Sequence, residues 1–261
     1  MRYLFKIFIP FLAFTIPNYS FADMGTSLRV QIINPINIHN ERIQGYILPT
    51  EIERLQKSNV NMGGNDTKGV ELTNPNEINI SNMSSQKQKK MISNCADYSQ
   101  LKSKGWYAET TYDLSMESFF KETCTTLDLL SKARPSKKSY FNSTVFQKED
   151  IDKLSSEMLN STIALGDSLP CEKIPSLKKC TQKLQGKIFL DDQKLSYEDA
   201  YNIISFSPKV RGDINYDGLE DIALSYGHHL KQGSYRGYGF ICLERKSKDA
   251  LITTIACESP K

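Results

Sequence analysis

The sequence has no run of about 18 or more uncharged apolar residues, which a membrane-spanning helix requires. A polytopic membrane protein is therefore excluded. The chain also has no internal repeat, and its 14 glycines and 10 prolines are too few for collagen or another low-complexity fibre. No CxxC pair occurs among its six cysteines, which argues against a zinc site. With 261 residues, 39% of them hydrophobic, the chain is long enough for one or two domains with a real core.

The N-terminus has the pattern of an export signal. Arg2 and Lys6 form a positive region that precedes an apolar run, and Ala22 ends a small-residue cleavage motif. We therefore expect residues 1–22 to be a signal peptide, with no membrane span after its cleavage and a periplasmic or secreted mature protein. Its removal lowers the basic count from 33 to 31 against 30 acidic residues, a net charge of +1. This balance gives no electrostatic reason to expect nucleic acid as a partner.

The composition then changes along the chain. Residues 23–90 are polar and rich in asparagine, and Tyr46 is their only aromatic residue, so we predict a largely flexible leader there. Within it, residues 27–38 and 44–55 could still form a short strand or helix. Residues 91–183 carry apolar residues at helical spacing and form a predicted helical part. Its predicted helices are residues 94–104, 112–133 and 148–165.

Residues 184–261 shift toward the two-residue period of strands and form a predicted antiparallel β part. Its predicted strands are residues 202–207, 222–226, 235–244 and 251–257. Helices first and strands afterwards favour an α+β fold, in which an N-terminal helical part precedes a small, disulfide-bonded antiparallel sheet. We expect residues 91–261 to form one compact unit.

All six cysteines lie in the predicted mature chain, and an even count behind an export signal favours disulfides in an oxidising compartment. Six cysteines permit fifteen pairings, so connectivity is inferred from position. The positions favour Cys95 with Cys124, Cys171 with Cys180 and, by default, Cys242 with Cys257. A turn near Ser247 would place Cys257 opposite Tyr238, so the last pair requires the two strands to bend or slip.

The pattern D-x-[DN]-x-D-G-x-x-D covers residues 213–221. Oxygen atoms at its first, third and fifth positions converge on one hard cation, and Gly218 permits the sharp turn. The carbonyl of the seventh position points inward, and the ninth residue ligates directly or through water. The sequence therefore predicts a Ca²⁺ site. Its ligands are Asp213, Asn215, Asp217, the carbonyl of Leu219, and Asp221.

This loop departs from an EF-hand, because the twelfth position is Leu224 rather than a bidentate glutamate. It is similar to the calcium loops of FG-GAP and VCBS repeats, which lead into a β-strand. One copy does not imply a propeller. Residues 212–253 also resemble the C-terminal part of uncharacterised exported bacterial proteins, a likeness that brings no known activity. The alternative to a calcium loop is a metal-free turn built by Asp and Asn side chains.

Three further patterns carry weaker hypotheses. Ser168 occupies the nucleophile position of a Gly-Asp-Ser-Leu block like that of GDSL esterases, but the Asp-x-x-His block of that family is missing. His228 and His229 are adjacent on a predicted strand and point to opposite faces, which favours a solvent-facing or turn-adjacent pair over a metal site. Residues 233–240 combine aromatic rings with Arg236 and could present a glycan or protein contact surface.

Together these patterns favour an exported, non-enzymatic, calcium-stabilised binding protein. Its partner would be an unknown protein or glycan of the cell envelope. The rival hypothesis is an exported serine hydrolase of the GDSL esterase type that uses Ser168 with His228 or His229. A purely structural component of the envelope is a third class.

Overall fold

The computed structural model describes residues 29–39, 41–60, 69–79, 86–162, 171, 173–191, 194–233 and 236–257. Its strands are β1 (Gln31–Ile38), β2 (Glu41–Tyr46), β3 (Val70–Asn79), β4 (Gln86–Ile92), β5 (Lys187–Asp191), β6 (Lys194–Glu198), β7 (Asn202–Gly212), β8 (Asp221–Leu230), β9 (Arg236–Arg245) and β10 (Ile252–Ile255). Its helices are α1 (Pro49–Lys57), α2 (Cys95–Ser103), α3 (Thr111–Lys132), a 3₁₀ helix (Lys148–Lys153), α4 (Glu157–Asn160) and α5 (Leu177–Lys183).

Eight of the strands form one antiparallel sheet that forks at β7. One edge of β7 pairs with β8 along its length, whereas the other edge pairs first with β6 and then with β1. The ladder shifts between Pro208 and Val210, and a proline is tolerated at such a bulge because it donates no ladder bond. The side-chain amide of Asn34 also ties β1 to β7 at this bulge, since its Nδ2 donates to Ser207 Oγ at 3.1 Å and to Pro208 O at 2.8 Å.

A hydrophobic core lies on each face of the sheet. On one face, α1, α2, α3 and the β3–β4 hairpin pack with Val210, Ala223 and Cys242 of the sheet. On the other face, residues 141–146, α4 and α5 pack with Phe206 and Leu243 among others. The buried hydrophobic residues of β8 and β9 therefore alternate between two separate cores, as the two-residue period of a strand requires.

The predicted α+β fold is wrong. The structure is mostly antiparallel β, and its main sheet is large and takes strands from both ends of the described chain. Within residues 23–90, assigned above to a leader, β1 and β2 belong to this sheet, and Ile32 and Ile38 are buried. The error has a physical reason. The position of β1 depends on its pairing with β7, which lies far along the chain. The local composition of residues 31–38 does not reveal that partner.

Other elements agree with the sequence. The helices predicted at residues 94–104 and 112–133 are confirmed as α2 and α3, and the four predicted strands are confirmed as β7 to β10. Both helices begin at a capping side chain: Asn94 Oδ1 accepts from Asp97 N at 2.9 Å, and Thr110 Oγ1 accepts from Asp113 N at 3.0 Å. The described part of residues 148–165 forms the 3₁₀ helix and α4 instead of one continuous helix.

The three predicted disulfides are confirmed, and they use all six cysteines. Their Cα–Cα distances are 5.1 Å for Cys95–Cys124, 5.5 Å for Cys171–Cys180 and 5.2 Å for Cys242–Cys257. In the last pair, Ile255 is the ladder partner of Cys242, and β10 ends there, so Cys257 closes the bridge from beyond the ladder. Three disulfides indicate an oxidising compartment. No helix within the described ranges is long and apolar enough to cross a membrane.

Candidate functional site

The predicted calcium ligands lie in the loop between β7 and β8. Gly218 has φ of +88°, in the left-handed region that glycine adopts without steric cost. Tyr216 also has a positive φ, +69°, which is uncommon for a residue with a side chain. Two contacts hold it there: its Oη donates to Lys132 O at 2.9 Å, and the Arg134 guanidinium lies 4.2 Å from its ring centroid. The turn is therefore fixed by the end of α3 and the residues that follow it.

Backbone hydrogen bonds dock the loop on the same segment. Arg134 and Asp213 exchange two of them, at 2.9 and 2.8 Å, and Lys137 N donates to Gly218 O at 2.9 Å. These contacts fix the start of the loop at Asp213 and its turn at Gly218 without an ion. The loop conformation is thus a property of the fold around it.

Two of the predicted ligands are buried carboxylates, Asp213 at 5% exposure and Asp221 at 0%. Asp213 Oδ2 accepts from Gly218 N at 3.0 Å, and Asp221 Oδ2 accepts from Ile214 N at 2.8 Å and Asn215 N at 3.2 Å. The other oxygen of each carboxylate, Oδ1, is buried and has no hydrogen-bond partner among the described residues. A buried, unpaired carboxylate oxygen costs free energy, which a bound cation would offset.

The two remaining side chains make turn contacts. Asn215 Oδ1 accepts from Asp217 N at 3.0 Å, and Asp217 Oδ1 accepts from Leu219 N at 2.7 Å. Such bonds are what a metal-free turn of Asp and Asn residues also makes. They account for Asn215 and Asp217, but they leave the two buried carboxylate oxygens unexplained.

No group of three or more His, Cys, Asp or Glu side chains in the described ranges is arranged to hold a metal ion. Asp213, Asp217 and Asp221 are therefore not gathered around one point in this structure. A loop of this pattern also draws on an asparagine oxygen and a backbone carbonyl. The residues present fit a calcium ion through the unpartnered Oδ1 atoms of Asp213 and Asp221, which both belong to side chains turned into the loop.

Glu244 is an acidic residue of this loop region that sequence analysis missed. It lies on β9 as the ladder partner of Asp221, and its Oε2 is 3.3 Å from Asn215 Nδ2. Burial, helped by the charges of Asp217 and Glu244, raises the pKa of Asp221 to about 7, against the lowering effect of its backbone hydrogen bonds. The β8–β9 register would have revealed Glu244, but the loop pattern alone does not.

A second candidate feature is a cleft of about 230 Å³ on the α3 side of the sheet. Its floor includes one cross-strand row, formed by Ser205 on β7, Gly227 on β8 and Tyr238 on β9. Two carbons of the Tyr238 ring lie 3.5 and 3.7 Å from the position that a Cβ on Gly227 would take. Tyr238 is nevertheless 45% exposed. The structure thus places part of the segment 233–240 in a cleft.

The cleft carries more positive than negative charge. Its charged residues are Lys121, Lys194, Lys209 and Glu122. Lys209 Nζ lies 2.5 Å from Glu122 Oε1, to which Ser225 Oγ also donates at 3.2 Å. Lys121 Nζ donates to the Tyr238 carbonyl at 3.3 Å. Ammonium and hydroxyl donors therefore surround an exposed aromatic ring.

The hydrolase hypothesis requires Ser168 together with His228 or His229. Ser168 lies outside the described residues. His228 is buried, at 1% exposure, and its Nε2 is 2.9 Å from Asn202 Oδ1. Of the two expected alternatives, a solvent-facing position is therefore wrong for His228, whereas both histidines do lie next to the end of β8, as in a turn-adjacent pair. His229, the next residue of the strand, is partly exposed. His228 therefore contacts an amide in the interior of the protein.

The burial of His228 predicts a pH dependence of stability. Burial lowers its pKa below the ordinary 6.5, so below about pH 6.5 the unfolded chain binds a proton that the folded protein resists. Stability should fall with pH there, and His228→Gln should reduce that fall. Urea denaturation from pH 8 to 5 measures it, with His229→Gln as the matched control. Identical slopes for wild type and His228→Gln would contradict the prediction.

Comparisons of the chain with protein-family models, with curated proteins and with solved structures found no match in any of the three. Fold alone does not assign a function, so the function must be argued from the chemistry of the sites. The two features with such chemistry are the β7–β8 loop and the cleft beside α3.

Proposed function

We propose that the protein is an exported, non-enzymatic binding protein, periplasmic or secreted, whose sheet is stabilised by Ca²⁺ in the loop 213–221. The observation that carries the proposal is the pair of buried carboxylate oxygens without a partner, one on Asp213 and one on Asp221. The three disulfides and the signal-like N-terminus support export.

The proposed role of the ion is structural. Asp213, Asn215, Asp217, the Leu219 carbonyl and Asp221 would hold it, and its positive charge would offset carboxylates that otherwise repel one another. Because the loop joins β7 to β8, a bound ion would hold together the two strands at the centre of the sheet.

Calcium should raise the melting temperature of the mature protein, and a chelator should lower it. Extracellular calcium modules bind with Kd of about 10⁻⁴ to 10⁻³ M. At 100 times Kd, binding to the native state contributes about 2.7 kcal/mol, which shifts the melting temperature by about 5 to 10 °C. Thermal denaturation followed by circular dichroism measures the shift. Magnesium should substitute poorly because it demands a tighter octahedral shell.

Asp217→Ala should abolish this calcium response, since it removes an exposed ligand without disturbing a buried residue. Asp249→Ala, whose side chain is 94% exposed on the β9–β10 turn, is the matched control and should respond like wild type. Wild-type melting curves that coincide in calcium and in chelator would leave only the metal-free turn.

For the binding activity, we propose that the cleft takes an anionic saccharide. Three lysines against one glutamate favour a negative ligand, and serine hydroxyls supply donors and acceptors for sugar hydroxyls. The half-exposed Tyr238 ring offers an apolar face on which a sugar ring can stack. The preference for a negative ligand comes from the local excess of lysines in the cleft and not from the nearly neutral overall charge of the protein.

The cleft proposal predicts that an oligosaccharide of uronic acids binds more tightly than a neutral one of equal length. Lys121→Glu should weaken that binding about tenfold, about 1.4 kcal/mol, because it reverses a charge at the mouth of the cleft. Isothermal titration calorimetry measures both, and Lys90→Glu, at an exposed residue of β4 outside the cleft, is the control. Equal affinity for acidic and neutral sugars, or none for either, would remove the saccharide proposal.

A further inference from the structure

Glu244 is placed beside the loop by tertiary structure alone. Its side chain is 5% exposed, and it faces Asp221 across the β8–β9 ladder. Directly opposed residues of an antiparallel pair have their side chains on the same face, with Cβ atoms about 4.5 to 5.5 Å apart. Glu244 and Asp221 therefore share the end of the sheet that meets the loop.

The contacts of Glu244 do not satisfy a buried carboxylate well. Its Oε2 is 3.3 Å from Asn215 Nδ2, which is a long contact to a neutral amide. Its Oε1 is 3.3 Å from Lys246 Nζ, and the Lys246 side chain is 72% exposed. An ion pair with an exposed lysine contributes little, whereas burial of a carboxylate is costly. Glu244 thus retains a need for positive charge on its loop side.

The loop, in turn, offers five predicted ligand residues, one fewer than the smallest calcium shell. Calcium takes six to eight oxygen ligands, and EF-hand loops obtain two of them from a bidentate glutamate at the twelfth position. Here that position is Leu224, which is fully buried in the core on the other face of the sheet. The residue that faces the loop from the neighbouring strand is Glu244, and Asn215, one of the predicted ligands, already contacts it.

We propose that Glu244 is a further calcium ligand, which completes from β9 the shell that the β7–β8 loop begins. The inference rests on the proposed calcium site. It makes the site a link across three adjacent strands, β7, β8 and β9, instead of a property of one turn. Bound calcium would then stabilise the β8–β9 pairing as well as the β7–β8 connection.

Calorimetric titration of the mature protein with calcium alone tests the proposal. Glu244→Gln, which keeps the shape and removes the charge, should weaken calcium binding about 10- to 100-fold, as the loss of a metal ligand or its close support does. Lys246→Gln is the control, because it removes the ammonium partner of Glu244 and should leave the affinity unchanged or raise it.

The outcomes separate the two proposals. Equal calcium affinity for wild type and Glu244→Gln would overturn the role of Glu244 and leave the calcium loop in place. No calcium binding by the wild type would overturn the loop itself. If Glu244→Gln does not fold, Glu244→Asp replaces it, since the shorter carboxylate keeps its charge. A wild-type calcium affinity in Glu244→Asp would also overturn the inference, because a ligand withdrawn by one methylene must bind more weakly.

Discussion

Asp150→Asn should lower the free energy of unfolding by about 3 to 5 kcal/mol, the usual cost of breaking a buried ion pair. Arg245 Nη1 donates to Asp150 Oδ1 at 3.0 Å, and the two side chains are 3% and 6% exposed. Without the carboxylate, the guanidinium stays buried between backbone carbonyls with no counter-charge. Urea denaturation of the oxidised protein measures the loss.

Two further variants separate the loss of the ion pair from other effects of the substitution. Asp249→Asn removes a carboxylate that is 94% exposed and lies 3.8 Å from Lys153, so its unfolding midpoint should match wild type. The double variant Asp150→Leu with Arg245→Met should regain part of the lost stability, because apolar side chains can replace a buried pair. The recovery should be incomplete because the Tyr140 carbonyl loses its Arg245 donor. A loss below about 1 kcal/mol in Asp150→Asn would show that Arg245 does not depend on this carboxylate.

The Asp150–Arg245 pair matters because Arg245 also binds the irregular segment of residues 140–143 to the sheet. Arg245 Nη1 also donates to Tyr140 O at 3.2 Å, while Arg211 donates to Asn142 O at 2.7 Å and Ser143 O at 3.1 Å. Arg211 is itself paired with Glu220 at 2.8 Å; burial raises the pKa of that carboxyl, and Arg211 opposes the rise. Two buried arginines therefore satisfy carbonyls of the segment that covers one core.

Loss of the Cys95–Cys124 disulfide should have the next largest effect, about 3 to 4 kcal/mol. The two cysteines are 29 residues apart, and in the chain-entropy description the bond restricts a loop of that size in the unfolded chain. Cys95→Ala with Cys124→Ala removes the bond without adding a polar group to the core where α2 meets α3. Chemical denaturation compares this variant with wild type.

The matched control is the Cys171–Cys180 pair, with a separation of 9 residues. Its removal should cost less, about 2.5 to 3 kcal/mol, because the shorter loop loses less entropy on cross-linking. A larger loss for the shorter loop would contradict the entropic explanation and indicate that local contacts around Cys171 and Cys180 dominate. Mass mapping without reduction should find no free thiol in the oxidised wild type.

The sequence predicted the elements whose signal is local. In α3, Phe120, Cys124, Leu127 and Leu130 follow the helical period and are buried. It left β1 undecided, because residues 27–38 are a short apolar run that fits either a strand or a helix within an asparagine-rich segment. Asn34 supports that strand through bonds to Ser207 and to the Pro208 carbonyl, and these partners become neighbours only after folding. Long-range pairing of this kind leaves no periodicity in the strand itself.

The same reason separates the two parts of the proposed calcium site. Asp213 to Asp221 could be predicted because nine consecutive residues contain the pattern. Glu244 could not, because its place depends on the register of β8 against β9, which pairs Asp221 with Glu244. A shift of that register by one residue would turn Glu244 to the opposite face.

The fork of the sheet at β7 bears on the order in which the protein folds. Residues 31 and 32 join the main sheet only through Arg211 and Val210, which a ribosome makes much later. Contacts between distant parts of a chain slow folding, because a long loop must close before they form. We expect β1 and β2, which are synthesised first, to be among the last strands to join the sheet, after β7, β8 and β9 have paired. Until then, β1 and β2 would lack the neighbour that completes their sheet.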